Sequence, residues 1–175
     1  MQIIRTRDFL SALALLASVA TTPSALAQAT GGADAAPQAV ADSSGWGVQC
    51  NNTGDRLQCA ALMNVVSAGD GQRILSVSLQ ESEGDNNPTL IVQLPLGLNL
   101  PRGIDLSVDG GTAETYTINT CLQTGCFVVQ EADQSLIDQM IAGETLSVVM
   151  ESSSGDETQL DLSLTGFSVA IDRLN

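Results

Sequence analysis

The chain contains no histidine and no lysine among its 175 residues, and its cations are six arginines. Without histidine there is no Ser-His-Asp or Cys-His arrangement and no histidine metal site, and without lysine there is no Schiff base or Ser-Lys dyad. Aromatic residues are also scarce, with one Trp, one Tyr and three Phe, whereas two-carboxylate sugar hydrolases usually place their acids among stacking aromatics. The composition therefore predicts a non-enzyme with no catalytic residue, no cofactor and no metal site.

Acidic residues outnumber basic residues, 20 to 6, in the whole chain. After residues 1–27, four arginines face nineteen acidic residues, a net charge of −15. Such a surface repels nucleic acid and anionic lipid, because it offers almost no cation to replace phosphate counterions. The acidity favours a solubility role over a dedicated cation site. Two acidic segments, "EGDNNP" (83–88) and "SSSGDE" (152–157), resemble turns rather than calcium loops.

The N-terminus has the layout of a secretory signal peptide. Arg5 and Arg7 precede an apolar run at 9–20, and Ala25-Leu26-Ala27 forms a small-residue cleavage pattern before Gln28. An uncleaved anchor is the alternative, although the apolar run is short for a membrane span. We therefore predict a signal peptide at 1–27, cleavage near Ala27–Gln28, a mature chain without a membrane span, and a periplasmic or secreted location.

The mature chain divides by composition. Residues 28–45, "QATGGADAAPQAVADSSG", have Val40 as their only large apolar side chain, so they cannot bury enough surface to offset the entropy of ordering. We predict a flexible tether at 28–45. Residues 46–175 have the length of one domain with one core.

Apolar residues in this domain recur with a period of two, which is typical of strands with one buried face. The alternating sets are Leu75, Val77, Leu79; Leu90, Val92, Leu94, Leu96; Ile104, Leu106, Val108; Tyr116, Ile118; Leu146, Val148, Met150; Leu160, Leu162, Leu164; and Phe167, Val169, Ile171. With the run at 127–129, they indicate about nine short strands. The pattern predicts an all-β fold, a two-sheet antiparallel β-sandwich of immunoglobulin-like or jelly-roll-like type.

One segment, residues 131–144, has helical spacing instead. Leu136, Ile137, Met140 and Ile141 form an apolar stripe that we expect to fill the core rather than bind a partner. Asp133 can cap the start, and Gly143 stands where a left-handed end would be needed. We predict one short helix near 133–142.

Two cysteine pairs are each separated by a turn. If Gly54-Asp55 form a two-residue turn, Cys50 and Cys59 face each other in a non-hydrogen-bonded pair, with Cα atoms about 4.5 Å apart. Cys121 and Cys126 flank "LQTG". Four cysteines allow three connectivities, and a four-thiolate zinc site is the rival, although the first pair lacks its spacing. An oxidising compartment favours disulfides, so we favour Cys50–Cys59 with Cys121–Cys126.

Four further residues can be interpreted locally. Trp46 is expected in the core, and Pro95 at a sheet edge or strand end. Asp109 begins a hairpin turn, "DGG", in which its carboxylate serves the turn rather than a ligand. Gly166 is expected at a bulge or tight connection between two strands.

These landmarks carry a family resemblance. "WGVQC" (46–50), Cys59, "LIVQLPLGLNLPRGIDLSVDGG" (90–111), "CLQTGC" (121–126) and "LSLTGFSVAIDRL" (162–174) resemble the invasion-associated locus B family of exported bacterial proteins, over residues 46–174. The resemblance implies a small periplasmic or secreted β-sandwich with no established catalytic residue. The scarcity of basic residues argues against any role that needs a basic surface.

Two functions are compatible with these features. The first is an exported, non-catalytic protein of the bacterial envelope or extracellular space, binding an unidentified envelope or host-surface protein. The alternative is a periplasmic carrier of a small ligand or cation, suggested by the acidity and the aliphatic interior. The sequence specifies neither the partner nor the oligomeric state.

Overall fold

A computed structural model of the chain describes residues 39–41, 45–53, 56–82 and 87–174. The predicted signal peptide at 1–27, most of the predicted tether at 28–45, and the Gly54-Asp55 turn lie outside these residues. The strands are β1 (Ala39–Ala41), β2 (Gly47–Thr53), β3 (Arg56–Ser67), β4 (Arg73–Gln80), β5 (Thr89–Leu94), β6 (Ile104–Val108), β7 (Glu114–Tyr116), β8 (Thr120–Leu122), β9 (Gly125–Glu131), β10 (Thr145–Glu151) and β11 (Glu157–Ser163). β1 thus places three residues of the expected tether in a strand.

The strands form two antiparallel sheets, which confirms the predicted fold class. The larger sheet has the order β1-β3-β4-β5-β9-β8, and the smaller sheet has the order β11-β10-β6-β7. β2 pairs with residues 56–62 of β3, and β1 pairs with residues 65–67. Because β4 pairs with β3 over residues 60–66, β1 and β2 lie one after the other along the opposite edge of β3.

The core lies where the alternating apolar rows of the two sheets meet. The rows at 75, 77 and 79 in β4 and at 90, 92 and 94 in β5 are buried, as are those at 104, 106 and 108 in β6 and 146, 148 and 150 in β10. Leu96 is an exception and is exposed, because β5 ends at Leu94, immediately before Pro95. Two-residue periodicity therefore predicted the core well wherever the strand continued.

The predicted helix is present as α1 (Gln134–Ala142). The carboxylate of Asp133 accepts a hydrogen bond from the Ser135 N–H at 2.9 Å and caps the helix, and Leu136, Ile137 and Met140 are buried. The left-handed end predicted at Gly143 is wrong, since its φ is −90°. A Cβ at this position would instead lie 2.4 Å from Val108 Cγ1, so close packing explains the glycine.

The last predicted strand is also wrong, because Phe167–Ile171 form a short helix, α2. Gly166 has φ +85° and starts this helix instead of joining two strands. Phe167 and Ile171 are buried while Val169 is exposed, as expected when residues four apart share one helix face. The Phe167 ring packs edge-on against Trp46, with centroids 4.7 Å apart, and Trp46 is buried as predicted.

Candidate interaction surface

One hairpin of the larger sheet extends beyond its neighbouring strand. β2 and β3 pair without interruption from Gly47 with Leu62 to Thr53 with Arg56. The pairing of β4 with β3, however, reaches only Ala60, followed by one further bond from the Glu81 N–H to the Cys59 carbonyl at 3.2 Å. Residues 50–53 and 56–59 therefore form a two-stranded projection, which we call the arm.

A disulfide closes the base of the arm. Cys50 and Cys59 are directly opposite, as the turn register predicted, with Cα atoms 4.0 Å apart. Cys59 packs against the core, whereas Cys50 is exposed. A two-stranded ribbon alone is marginally stable in water. The cross-link therefore supplies order that a third strand supplies elsewhere in the sheet.

The arm presents an exposed apolar side chain. Leu57 is 61% exposed and follows the two-residue alternation of Cys59 and Ala61, so it lies on the side of β3 that faces the core further along. Its cross-strand partner is Asn52, which is also exposed. We call Leu57, Asn52 and the disulfide the Leu57 face. It continues the core-facing side of the sheet into solvent.

The outer edge of β2 is unpaired in the described part of the chain. The Cys59 carbonyl points toward Glu81 and away from β2, so Cys50 and Cys59 form a non-hydrogen-bonded pair. By alternation, the backbone N–H and C=O groups of Val48, Cys50 and Asn52 point outward from the sheet. Among the described residues no backbone hydrogen bond reaches these groups.

The second disulfide lies in a hairpin that is packed into the sheet. Cys121 of β8 and Cys126 of β9 are opposite each other, with Cα atoms 3.9 Å apart. Cys126 is only 1% exposed, and β9 also pairs with β5 from Cys126 to Glu131. The turn is tied down further by a 2.8 Å hydrogen bond from Gln93 Nε2 to the Thr124 carbonyl.

Three carboxyl or phenol groups of the smaller sheet have perturbed pKa values, and each has a structural partner. The bidentate hydrogen bonds from Arg102, followed by one from Thr115, lower the pKa of Asp105. Hydrogen bonds from Gln159 and then Ser147 lower the pKa of Asp161. Burial, and then the bond to the Glu114 carboxylate, raises the pKa of Tyr116.

Other polar residues that the sequence singled out also have internal partners. Asp109 has a φ of +51°, and its carboxylate accepts hydrogen bonds from the Glu144 and Thr145 N–H groups at 3.1 and 2.8 Å, joining its turn to the start of β10. The 152–156 turn is held by its own serine and aspartate hydrogen bonds. Within the described ranges, no three His, Cys, Asp or Glu side chains are placed to hold a metal ion.

The arm was missed by the sequence reasoning, although its signal was present. The odd-numbered apolar positions of β3 run from Leu57 to Val65, while those of β4 cover only Leu75 to Leu79. A strand longer than its neighbour must extend beyond the sheet. Comparing the lengths of adjacent alternating runs would have indicated an arm whose first apolar residue is exposed.

Comparison with known proteins gives matches over the β-sandwich domain. The model of the invasion associated locus B (IalB) protein family matches residues 46–175. The chain belongs to this family. Two relatives, both called invasion protein B homologs and both from Brucella abortus (strain 2308 and biovar 1 strain 9-941), are each 28% identical over 130 residues, covering 74% of this chain and 75% of theirs.

The fold is shared with a solved structure as well. The crystal structure of invasion associated protein B from Bartonella henselae is similar to this chain with a TM-score of 0.65 and 22% sequence identity. The similarity covers 77% of this chain and 94% of the Bartonella chain. The β-sandwich is therefore the fold common to both. In the part of this chain that the structure describes, no helix is both long enough and apolar enough to span a bilayer.

Proposed function

We propose that this protein is an exported, non-catalytic component of the bacterial envelope or extracellular space that binds another protein through the Leu57 face. The predicted signal peptide and two disulfides support export, because disulfides persist in oxidising compartments. The names of the relatives, invasion protein B homolog and invasion associated protein B, support a role in contact with other proteins.

The observation that carries the proposal is the exposure of Leu57 on a cross-linked arm. A large apolar side chain that is held rigidly in solvent loses little conformational entropy when a partner buries it. A few side chains that become buried within a ring of polar contacts carry most of the binding energy of many protein interfaces. Asn52, the cross-strand partner of Leu57 on the same side of the arm, provides polar surroundings here and is exposed.

Site-specific photocrosslinking in the producing organism tests the proposal. A photoreactive amino acid replaces Leu57 in one variant and Val169 in a control, since Val169 is 58% exposed but lies on α2. We expect a discrete crosslinked protein from position 57 only, and we expect the Leu57→Asp variant to fail to pull down the identified partner. Equal crosslinking from both positions, or recovery of the chain from the cytoplasm with its leader intact, would contradict the proposal.

The carrier alternative can be tested on the same purified protein. A ligand that binds only the folded state at about 100 times its dissociation constant adds about 2.7 kcal/mol to the free energy of unfolding. A thermal-melt screen with calcium and envelope sugars or lipids would reveal such a shift. Because Asp105, Asp109 and Asp161 already accept internal hydrogen bonds, we expect no shift with calcium.

A further inference from the structure

We propose that the outer edge of β2 pairs with the same edge of a second copy of this chain. The two β2 strands would run antiparallel about a two-fold axis at Cys50, joining two larger sheets into one. This inference concerns the edge of the arm and goes beyond the proposed function, which uses the Leu57 face. Either can therefore fail without the other.

The backbone pattern of β2 is self-complementary about this axis. Val48, Cys50 and Asn52 present their N–H and C=O groups outward. A two-fold axis at Cys50 places Cys50 opposite the second copy's Cys50, and Val48 opposite the second copy's Asn52. Each outward donor then meets an outward acceptor, as in a hydrogen-bonded antiparallel pair. Such an interface is isologous, and it closes at the dimer.

β2 also lacks the features that normally protect an edge strand. Natural edges are kept from pairing by short length, charge, proline or a bulge. β2 has seven residues, "GVQCNNT", with no charged side chain and no proline, and its register with β3 is unbroken. In contrast, the edge strands β7 and β8 have three residues each.

The charge distribution favours a contact between two copies at the edge of β2 over a contact at the edge of β11. Two copies of the chain from Gln28 onward, each with a net charge of −15, repel each other, so a contact between copies is favoured at an uncharged surface. β11 is equally long but carries Glu157 and Asp161, and the outward carbonyl of its Ser163 already accepts a hydrogen bond from Trp46 Nε1 at 3.1 Å. Of the two long edges among the described residues, β2 is the one whose strand carries no charge and whose outward groups at 48, 50 and 52 accept or donate no backbone hydrogen bond there.

The side chains beside the two-fold axis allow the proposed dimer to be tested by mutation. In the proposed pair Gln49 lies opposite the second copy's Asn51, and both side chains are exposed on β2. Gln49→Glu with Asn51→Glu places like charges opposite each other twice in the dimer. Gln49→Glu with Asn51→Arg places opposite charges there instead. Both variants change the same two positions, so they are matched controls.

Sedimentation equilibrium of the chain from Gln28 onward measures the result. We expect a monomer–dimer equilibrium whose dissociation constant rises at least about tenfold in the Glu/Glu variant and is restored in the Glu/Arg variant. Salt should strengthen association of the natural sequence, because it screens the repulsion between acidic copies. A basic peptide adding to the same edge would show the opposite salt dependence.

Three outcomes would overturn the inference. They are a monomer at every concentration and salt, dimerisation that the Glu/Glu variant leaves unchanged, and association that salt weakens. Circular dichroism checks that the variants fold. If the Glu/Glu variant is unfolded, Gln49→Arg with Asn51→Arg replaces it, since it also places like charges opposite each other twice in the dimer and should also yield monomer. Crosslinking from position 57 that persists in the monomeric variants would support the proposed function. It would also show that binding through the Leu57 face does not depend on the β2 dimer.

Discussion

The two disulfide hairpins of this protein have nearly the same cross-strand geometry and different neighbouring strands. Their Cα–Cα distances are 4.0 and 3.9 Å, and each joins directly opposite residues of neighbouring strands. The Cys50–Cys59 hairpin projects beyond β4, and most of its side chains are exposed. The Cys121–Cys126 hairpin is packed on β5, and one of its two cysteines, Cys126, is buried.

The difference shows that one kind of cross-link can serve two purposes. In the arm, the disulfide substitutes for tertiary contacts and holds exposed side chains in place. In the β8–β9 hairpin it adds to contacts that already fix the strands. Loss of order should therefore follow removal of the first disulfide, and loss of global stability alone should follow removal of the second. Four measurements test this contrast.

The largest effect is expected where the packed hairpin meets the sheet. Gly125 has φ +135°, and a Cβ there would lie 2.3 Å from the Leu94 carbonyl oxygen. Gly125→Ala should lower the free energy of unfolding by about 3 kcal/mol, because backbone strain and overpacking add. The control is Gly110→Ala, with φ +69° and no atom within 4 Å, which should cost about 1 kcal/mol. Equal costs in urea unfolding would show that the hairpin is less tightly packed than described.

Removing each disulfide is the direct test of the comparison. Replacing Cys50 and Cys59 together by alanine, or Cys121 and Cys126 together, should lower the free energy of unfolding by about 2 to 3 kcal/mol in each case, since both loops are short. Amide hydrogen exchange should separate the two variants. In the first, the Asn51 and Gln58 amides should exchange at least about tenfold faster while the core stays protected.

The second double variant provides the contrast. Without the Cys121–Cys126 bond, β9 still pairs with β5 from Thr89 to Leu94, so the Val128 amide should keep its protection. Comparable loss of protection in both hairpins would mean that the packed hairpin also depends on its disulfide. Unchanged exchange in the arm would mean that the ribbon orders itself.

The same contrast explains what could be predicted from the sequence. The strands of the core, the α1 helix and the facing cysteines follow from local rules: two-residue alternation, an N-cap at Asp133, and a register counted from one turn. These rules succeed because each depends on residues close in the chain. The arm was missed because its exposure depends on where β4 ends, which is a property of another segment.

The errors have similar causes. Phe167, Val169 and Ile171 alternate like a strand, but the conformation of this segment depends on Gly166 and on packing against the Trp46 ring, 121 residues before Phe167. Gly143 was assigned to a helix end by position, whereas its smallness serves a contact with Val108. A short apolar segment or a single glycine is compatible with several structures, and tertiary packing selects one.

A smaller effect is expected from the asparagine that borders the packed hairpin. The Asn119 side-chain oxygen accepts a hydrogen bond from the Val129 N–H at 2.6 Å. Asn119→Ala should lower the free energy of unfolding by about 1 kcal/mol, because the bond is solvent-accessible and water can replace it. Asn51→Ala in the arm should change it by less than about 0.5 kcal/mol. Exchange of the Val129 amide by NMR locates the effect, and a larger cost at Asn51 would contradict the contrast between the hairpins.

The smallest predicted effect is on the pH dependence of the free energy of unfolding, and the arm should not contribute to it. Hydrogen bonds from Arg102 hold the pKa of Asp105 below its usual value, so the unfolded chain takes up the proton first as the pH falls. This contribution is present above the unfolded pKa of about 3.9 and is lost as the pH falls through the lower folded value. Asp105→Asn should therefore reduce the loss of stability between neutral and acidic pH. Asp161, whose pKa is also lowered, should account for part of the loss that remains.

The variant without Cys50 and Cys59 should lose as much stability as the natural sequence over that pH range in urea unfolding, because no carboxylate lies among the arm residues at 50–53 and 56–59. A steeper acid loss in that variant would mean that the arm is coupled to the charged sheet, and the two hairpins would then differ less than their surroundings indicate.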